Sequence, residues 1–432
     1  MVRVLSLLLL VAMPVFGVER FPPPELTSGY TFPMSNFPLP RAVVWEFIDA
    51  AVLLLSLVLS VWLVFRARNR RGIVALGVFS LVYFGFIRKG CICPIGAVQN
   101  VAQAIADPGY VITMVTIWFV VTPLVFGLLF GRTFCAAICP HGILQDFVII
   151  HPLRLPYWLN HVLGVMPFIV LGTGVLLAAN GAGYMICAYD PFVGIFRFDG
   201  PHYMLVGGLL MLATGIIIAR PYCRFFCPYG ALLKIVSQLS WRNVTITPDI
   251  CIQCRLCERA CPIDAIQSPI PEAVARDRRT GVRWLGFACL LLPIIVLGGW
   301  WSGRHLYLLP ASINSTVQLA REVRYYEQHA NVTPLSDRTQ AFRQSGGDAK
   351  VLYRDAHVVM GKLRNGAGWL GAFLGLVVGA KIVSLIVRHP RSDYKPHSGD
   401  CLACARCYRY CPHEKMRRNV DISPIRPSAS DS

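Results

Sequence analysis

Residues 251–262 read Cys-Ile-Gln-Cys-Arg-Leu-Cys-Glu-Arg-Ala-Cys-Pro, and residues 401–412 read Cys-Leu-Ala-Cys-Ala-Arg-Cys-Tyr-Arg-Tyr-Cys-Pro. Both have the C-x2-C-x2-C-x3-C-P spacing with which ferredoxin-type chains hold [4Fe–4S] clusters. Three thiolates spaced in this way wrap one side of a cubane, and the turn at proline carries the fourth cysteine to the other cluster. One cluster is therefore expected on Cys251, Cys254, Cys257 and Cys411, and a second on Cys401, Cys404, Cys407 and Cys261. Structural zinc is the bland rival, but it needs only four ligands, and eight cysteines in two matched runs overshoot it.

The residues around these runs set the fold class. Apolar residues make up 55% of the 432, and charged residues 15%, against about 25% charged in a soluble domain. Apolar stretches long enough to cross ~30 Å of hydrocarbon recur along the chain. Seven spans are predicted, at 44–65, 72–88, 111–130, 161–180, 203–219, 284–300 and 369–387. The expected fold is an α-helical multispanning membrane protein with two internal repeats and a split, ferredoxin-like α+β module. Residues 1–17 read as a signal peptide or signal anchor. Residues 18–43 are proline-rich and expected to run extended outside, and 419–432 to form a flexible tail.

Arg66, Arg68, Arg70 and Arg71 crowd the link after the first span, which the positive-inside rule places in the cytoplasm. Alternation then puts 220–283 and 388–432, with ten and nine basic residues, on that same side. The ferredoxin halves, 240–275 and 395–418, are separated by two spans and the external segment 301–368. An even number of crossings returns the chain to one face, so the halves can meet. Arg88 and Lys89 run against the rule. The formal charge of +18 thus belongs to membrane orientation; no groove-reading motif accompanies it, and no nucleic-acid partner is expected.

A transmembrane core, 44–235, carries further cysteines. Gly131-Arg-Thr-Phe-Cys135-Ala-Ala-Ile-Cys139-Pro140-His-Gly142 follows the third span, and Ala219-Arg-Pro-Tyr-Cys223-Arg-Phe-Phe-Cys227-Pro228-Tyr-Gly230 follows the fifth. Cys91-Ile-Cys93-Pro94 and Cys187-Ala-Tyr-Asp190-Pro191 fall on the other side. The reading is two parallel repeats, 72–142 and 161–230. Cys135, Cys139, Cys223 and Cys227 would then converge at the inner face, and Cys91, Cys93 and Cys187 at the outer one. The inner four are candidates for a further metal, iron–sulfur or dithiol centre, and the outer three for a separate centre or a disulfide. The competing reading is that C-x3-C-P merely ends a helix, its cysteines packing as small apolar residues. Cys289, alone in a span, reads as packing, and Lys381, inside the last span, as a snorkelling lysine.

At these residues the chain resembles the NosR/NapH family of membrane-bound polyferredoxins, over roughly 72–265 and 395–412. That resemblance implies an inner-membrane component relaying electrons between a quinone-pool or cytoplasmic donor and an extracytoplasmic acceptor. It makes the eight ferredoxin cysteines cluster ligands and leaves the C-x3-C-P cysteines without a fixed role. The chain lacks the S/T-G-A-T flavin-attachment motif of NosR-type proteins, so flavin is expected only through a partner. No span carries a histidine near its centre, so no haem is expected. Val317–His329 has mixed helical character, suited either to docking an external redox partner, such as a flavoprotein or metalloenzyme, or to an ordinary solvated hairpin.

The leading expectation is electron transfer across the membrane by an electron-transfer subunit rather than a stand-alone enzyme. The alternatives are a quinol-oxidising component working on one side, a maturation or assembly factor for a periplasmic metalloenzyme, and a membrane redox sensor without a visible output domain.

Overall fold

Long apolar helices dominate the computed structural model, because within a bilayer only a helix or a closed barrel satisfies every backbone amide. The structure describes residues 42–90, 93–150, 152–246, 251–270, 278–329, 336–386, 391 and 393–417. The expected signal segment, nearly all of the proline-rich segment, Cys91 and the tail lie outside the described residues. From Val44 onward the chain forms one unit.

Among the described residues, five helices are long and apolar enough to cross a membrane: Val43–Arg66, Arg70–Ile87, Tyr157–Ala179, Gly281–Ala311 and Ala349–Ile386. Met114–Phe130 and His202–Ile217, also expected as spans, are apolar but shorter. At ~1.5 Å per residue the first of these reaches about 26 Å, less than the ~30 Å of a bilayer core.

After the spans the chain turns back into the bundle. Proline at the first helical position starts a new helix, since its missing N–H has no partner to lose there. Helices Pro94–Ala106, Pro140–Phe147 and Pro228–Gln238 all begin this way, with Cys93, Cys139 and Cys227 at their N-caps. Pro140 lies beside Gly85 and Ile143 beside Gly77 of the Arg70–Ile87 helix. Leu233 packs on Gly127, and the Tyr229 hydroxyl donates to the Val120 carbonyl at 2.7 Å, partway along Met114–Phe130.

Asp49 is a buried carboxylate within the first span, where the sequence reading recognised only Lys381 as an intramembrane charge. It accepts from the Tyr83 hydroxyl at 2.7 Å and pairs with Arg88 at 2.7 Å. That ion pair gives Arg88, which runs against the expected orientation, a partner among the helices. Lys381 donates to the His161 carbonyl at 2.7 Å, in keeping with a structural lysine.

Helices Arg278–His305 and Ala349–Ile386 form a hairpin in which backbone meets backbone. A Cβ on Gly303 would sit 2.1 Å from the Ala367 carbonyl oxygen, and one on Gly371 2.0 Å from that of Gly299. Such approach is what small residues permit between membrane helices. Gly371→Val should force the helices apart and cost on the order of 1–3 kcal/mol or more, read as a lower melting temperature in detergent. Gly361→Val, in open space, should leave it nearly unchanged. Between the two helices, Ser315–Gln328 buries Val317, Ala320 and Val323 against Leu352 and Ala356. Its apolar face thus packs within the chain.

The two ferredoxin halves meet. Strands Ile266–Gln267 and Lys395–Pro396 pair antiparallel, with Ile266 opposite Pro396 and Gln267 opposite Lys395. A bridge between Ile270 and Arg391 extends the pairing, and the His397 amide donates to the Ala265 carbonyl at 2.7 Å.

Candidate redox centres

Each ferredoxin loop contorts in the same way. Gln253 and Arg255 flank Cys254 with φ of 52° and 60°, while Ala403 and Ala405 flank Cys404 with 51° and 58°. Left-handed backbone at non-glycine residues costs about 1–2 kcal/mol each, and its repetition at matched positions marks a loop bent around something. Helices Leu256–Ala260 and Arg406–Tyr410 then lead into Cys261 and Cys411, both extended.

The cysteines divide into two crossed sets. One cavity is lined by Cys251, Cys254 and Cys257 together with Cys411. The other is lined by Cys401, Cys404 and Cys407 together with Cys261. Among the described residues no group of three or more His, Cys, Asp or Glu side chains closes on a single metal ion. Four thiols lining a shared space are the donor set of a [4Fe–4S] cluster. Burial pushes the Cys257 and Cys261 thiols up to about 11 and that of Cys401 to about 12, so thiolate at neutral pH requires a bound cation's charge.

Charged contacts seat this module on the helical core. Asp146, at the end of the Pro140 helix, pairs with Arg70, with Arg406 at 3.0 Å and with Arg220 at 3.4 Å. Burial opposes its ionisation, but Arg220, Arg406 and Arg70 together hold the carboxyl well below the usual range. Arg70 also donates to the Cys404 carbonyl at 2.9 Å. Arg68 pairs with Glu414 at 2.7 Å and covers the Tyr408 ring, and Lys234 pairs with Asp400 at 2.6 Å.

Cys135, Cys139, Cys223 and Cys227 are all buried and converge. Cys93 and Cys187 belong to the set expected apart from these four. Cys139 and Cys227 both lie within electrostatic reach of Cys93, which in turn reaches Cys187. Cys93, Cys139 and Cys227 each cap a helix that opens with proline. His141 contacts Asp190 at 3.2 Å, and the Tyr222 hydroxyl donates to Asp190 at 3.1 Å. Cys187 itself is exposed, and Cys289 is exposed on the peripheral hairpin.

The sequence reading missed Arg132, Arg220 and Asp146, although an arginine stands three residues before the first cysteine of each C-x3-C-P and the repeat could have drawn notice to it.

A family model described as a 4Fe-4S binding domain matches twice, at residues 111–157 and 201–247, and a second model of the same description matches 244–267. The putative electron transport protein YccM of Escherichia coli is 28% identical over 155 residues, 32% of this chain and 43% of that protein. Protein NirI of Paracoccus denitrificans is 30% identical over 172 residues, covering 34% and 25%. Regulatory protein NosR of Stutzerimonas stutzeri is 25% identical over 229 residues, covering 47% and 30%. The chain thus spans less than half the length of each of these relatives. No solved structure matches.

Proposed function

We propose that this chain, which belongs to the NosR/NapH-type 4Fe–4S membrane proteins, relays single electrons between a cytoplasmic or quinone-pool donor and an extracytoplasmic acceptor. The observation that carries the reading is the pair of crossed four-cysteine sets in a ferredoxin module fastened to a cysteine-bearing helical core. Cys251, Cys254, Cys257 and Cys411 hold one [4Fe–4S] cluster, and Cys401, Cys404, Cys407 and Cys261 the other. Each bound cluster supplies a one-electron store. The protein's part is to fix positions and electrostatics. Arg70 and Arg406, both bonded to Asp146, hold the second loop against the core, on the side where the Pro140 helix leads inward to Cys139.

The basic residues after the first span favour a bacterial inner membrane setting with the module and C-terminus in the cytoplasm. A core of ~30 Å is too wide for one efficient step, and the convergence of Cys93 with Cys139 and Cys227 supports an intermediate station inside it. Flavin, where it takes part, comes with the external partner.

The test uses inverted vesicles containing the full chain, supplied with quinol or a low-potential donor and an acceptor enclosed in the lumen. The parent should reduce the enclosed acceptor. Cys93→Ser should stop that delivery while both ferredoxin signals persist in electron paramagnetic resonance. Unchanged delivery would remove Cys93 from the path, and donor oxidation with no delivery by the parent would establish one-sided quinol chemistry instead.

A further inference from the structure

The two C-x3-C-P repeats exchange arginines. Arg220, from the second, donates to the Cys135 carbonyl of the first at 2.7 Å. Its Nη1 lies 3.3 Å from where a Cβ on Gly142 would stand. Arg132, from the first repeat, lies in the same way over Gly230 of the second, with Nη2 3.3 Å from a Cβ there. The glycine of each Cys-Pro-x-Gly is therefore the seat of the other repeat's guanidinium. This reciprocal clasp brings Cys135, Cys139, Cys223 and Cys227 into one place.

The charges do not balance with protein groups alone. Arg132 is 6% and Arg220 2% exposed. Arg220 shares Asp146 with two other arginines. Arg132 has no carboxylate partner among the described residues; it donates to the Gly399 carbonyl at 3.2 Å and lies 3.9 Å from the Cys135 sulfur. Among the described residues, the Arg132 Nε and Arg220 Nη2 donors are buried without partners. A buried cation without a counter-charge costs several kcal/mol, so something anionic is required beside it. Neutral thiols or a disulfide would not supply that charge. Four thiolates on a dipositive cubane leave a net charge of about −2, which two guanidiniums offset.

We propose that Cys135, Cys139, Cys223 and Cys227 together hold one anionic iron–sulfur cluster inside the helical core, and that Arg132 and Arg220 set its potential. This deepens the relay reading and rests on it. Both arginines also face the ferredoxin module, Arg132 donating to the Gly399 carbonyl two residues before Cys401 and Arg220 sharing Asp146 with Arg406 of the second cluster loop. They therefore lie between the core centre and the cluster on Cys401, Cys404, Cys407 and Cys261. One electron leaving that cluster, oxidising it, reduces the core centre by one.

Iron and acid-labile sulfide are measured in the purified full-length holoprotein, with a potentiometric titration followed by electron paramagnetic resonance. The parent should contain about twelve of each, four per cubane. Cys139→Ser combined with Cys227→Ser should lose about a third of both while keeping the ferredoxin pair's signals. Arg132→Gln should keep the iron but move one centre to lower potential, since loss of a nearby cation disfavours the more negative reduced state, and Arg132→Lys should restore most of the shift. A parent with about eight irons and a double cysteine variant with the same content overturns the proposal, as does a potential unmoved by Arg132→Gln. Absence of the ferredoxin signals in the parent would instead overturn the relay reading.

Discussion

Cys411→Ser should abolish the cluster of the distant first loop, at Cys251–Cys257, and spare the cluster of its own loop. Cys261→Ser should do the reverse. Cys411 lines the cavity of Cys251, Cys254 and Cys257, although about 150 residues and a two-helix hairpin intervene, and Cys261 lines that of Cys401, Cys404 and Cys407. Each variant should lose about four irons and one of two resonance signals, together with the spin–spin broadening that two nearby reduced clusters impose on each other. The assignment comes from pairing each variant with a substitution in a loop. Cys411→Ser combined with Cys254→Ser should lose no more iron than Cys411→Ser alone, because both remove the same cluster. Combined with Cys404→Ser it should lose both clusters. The opposite pattern would mean that each run holds its own cluster, and the strand pairing of Ile266–Gln267 with Lys395–Pro396 would then have no role in ligation.

The spacing points to a crossed assignment, since C-x2-C-x2-C fixes three sulfurs locally and proline directs the fourth elsewhere, and the cysteines lining the two cavities are arranged in that way. The helical class was equally legible, since apolar length is a local property. What the sequence leaves open is how the segment after each C-x3-C-P packs. Proline at the first position of Pro140–Phe147 and Pro228–Gln238 starts a helix. Whether such a helix runs along the surface or back into the bundle depends on tertiary partners: Gly85 and Gly77 for one, Gly127 and Val120 for the other. No periodicity encodes those partners. The same limit hid the meeting of His141 with Asp190 and the exchange of Arg132 and Arg220 between repeats. Asp49 was hidden differently: a single acid in an apolar run has little effect on hydropathy, and its pairing with Arg88 appears only when two spans are side by side.

The second large effect is expected at Asp146, where three elements far apart in sequence are tied to one carboxylate. Arg70 comes from the link after the first span, Arg220 from the second C-x3-C-P repeat and Arg406 from inside the second cluster loop. The side chain is 9% exposed, so solvent screens these pairs little. Asp146→Asn keeps the shape and removes the charge, leaving three guanidiniums crowded together without it. Breaking a buried pair by removing one partner costs about 3–5 kcal/mol, and here three pairs share the loss. The expected result is a substantially lower melting temperature in detergent, with early bleaching of the visible cluster absorbance as the second loop detaches. Because Asp146 titrates lower in the folded chain than in the unfolded one, its stabilisation is fully present above the unfolded carboxylate value, near 3.9. It is lost only as pH falls through the depressed folded value. The parent's advantage over Asp146→Asn should therefore stay constant from neutral pH down to about 5 and shrink below it. An advantage that faded between pH 7 and 5 would assign the stabilisation to a histidine. Asp146→Asn melting with the parent throughout would show that the ferredoxin module is held by its other contacts, the Arg68–Glu414 and Lys234–Asp400 pairs, without this junction.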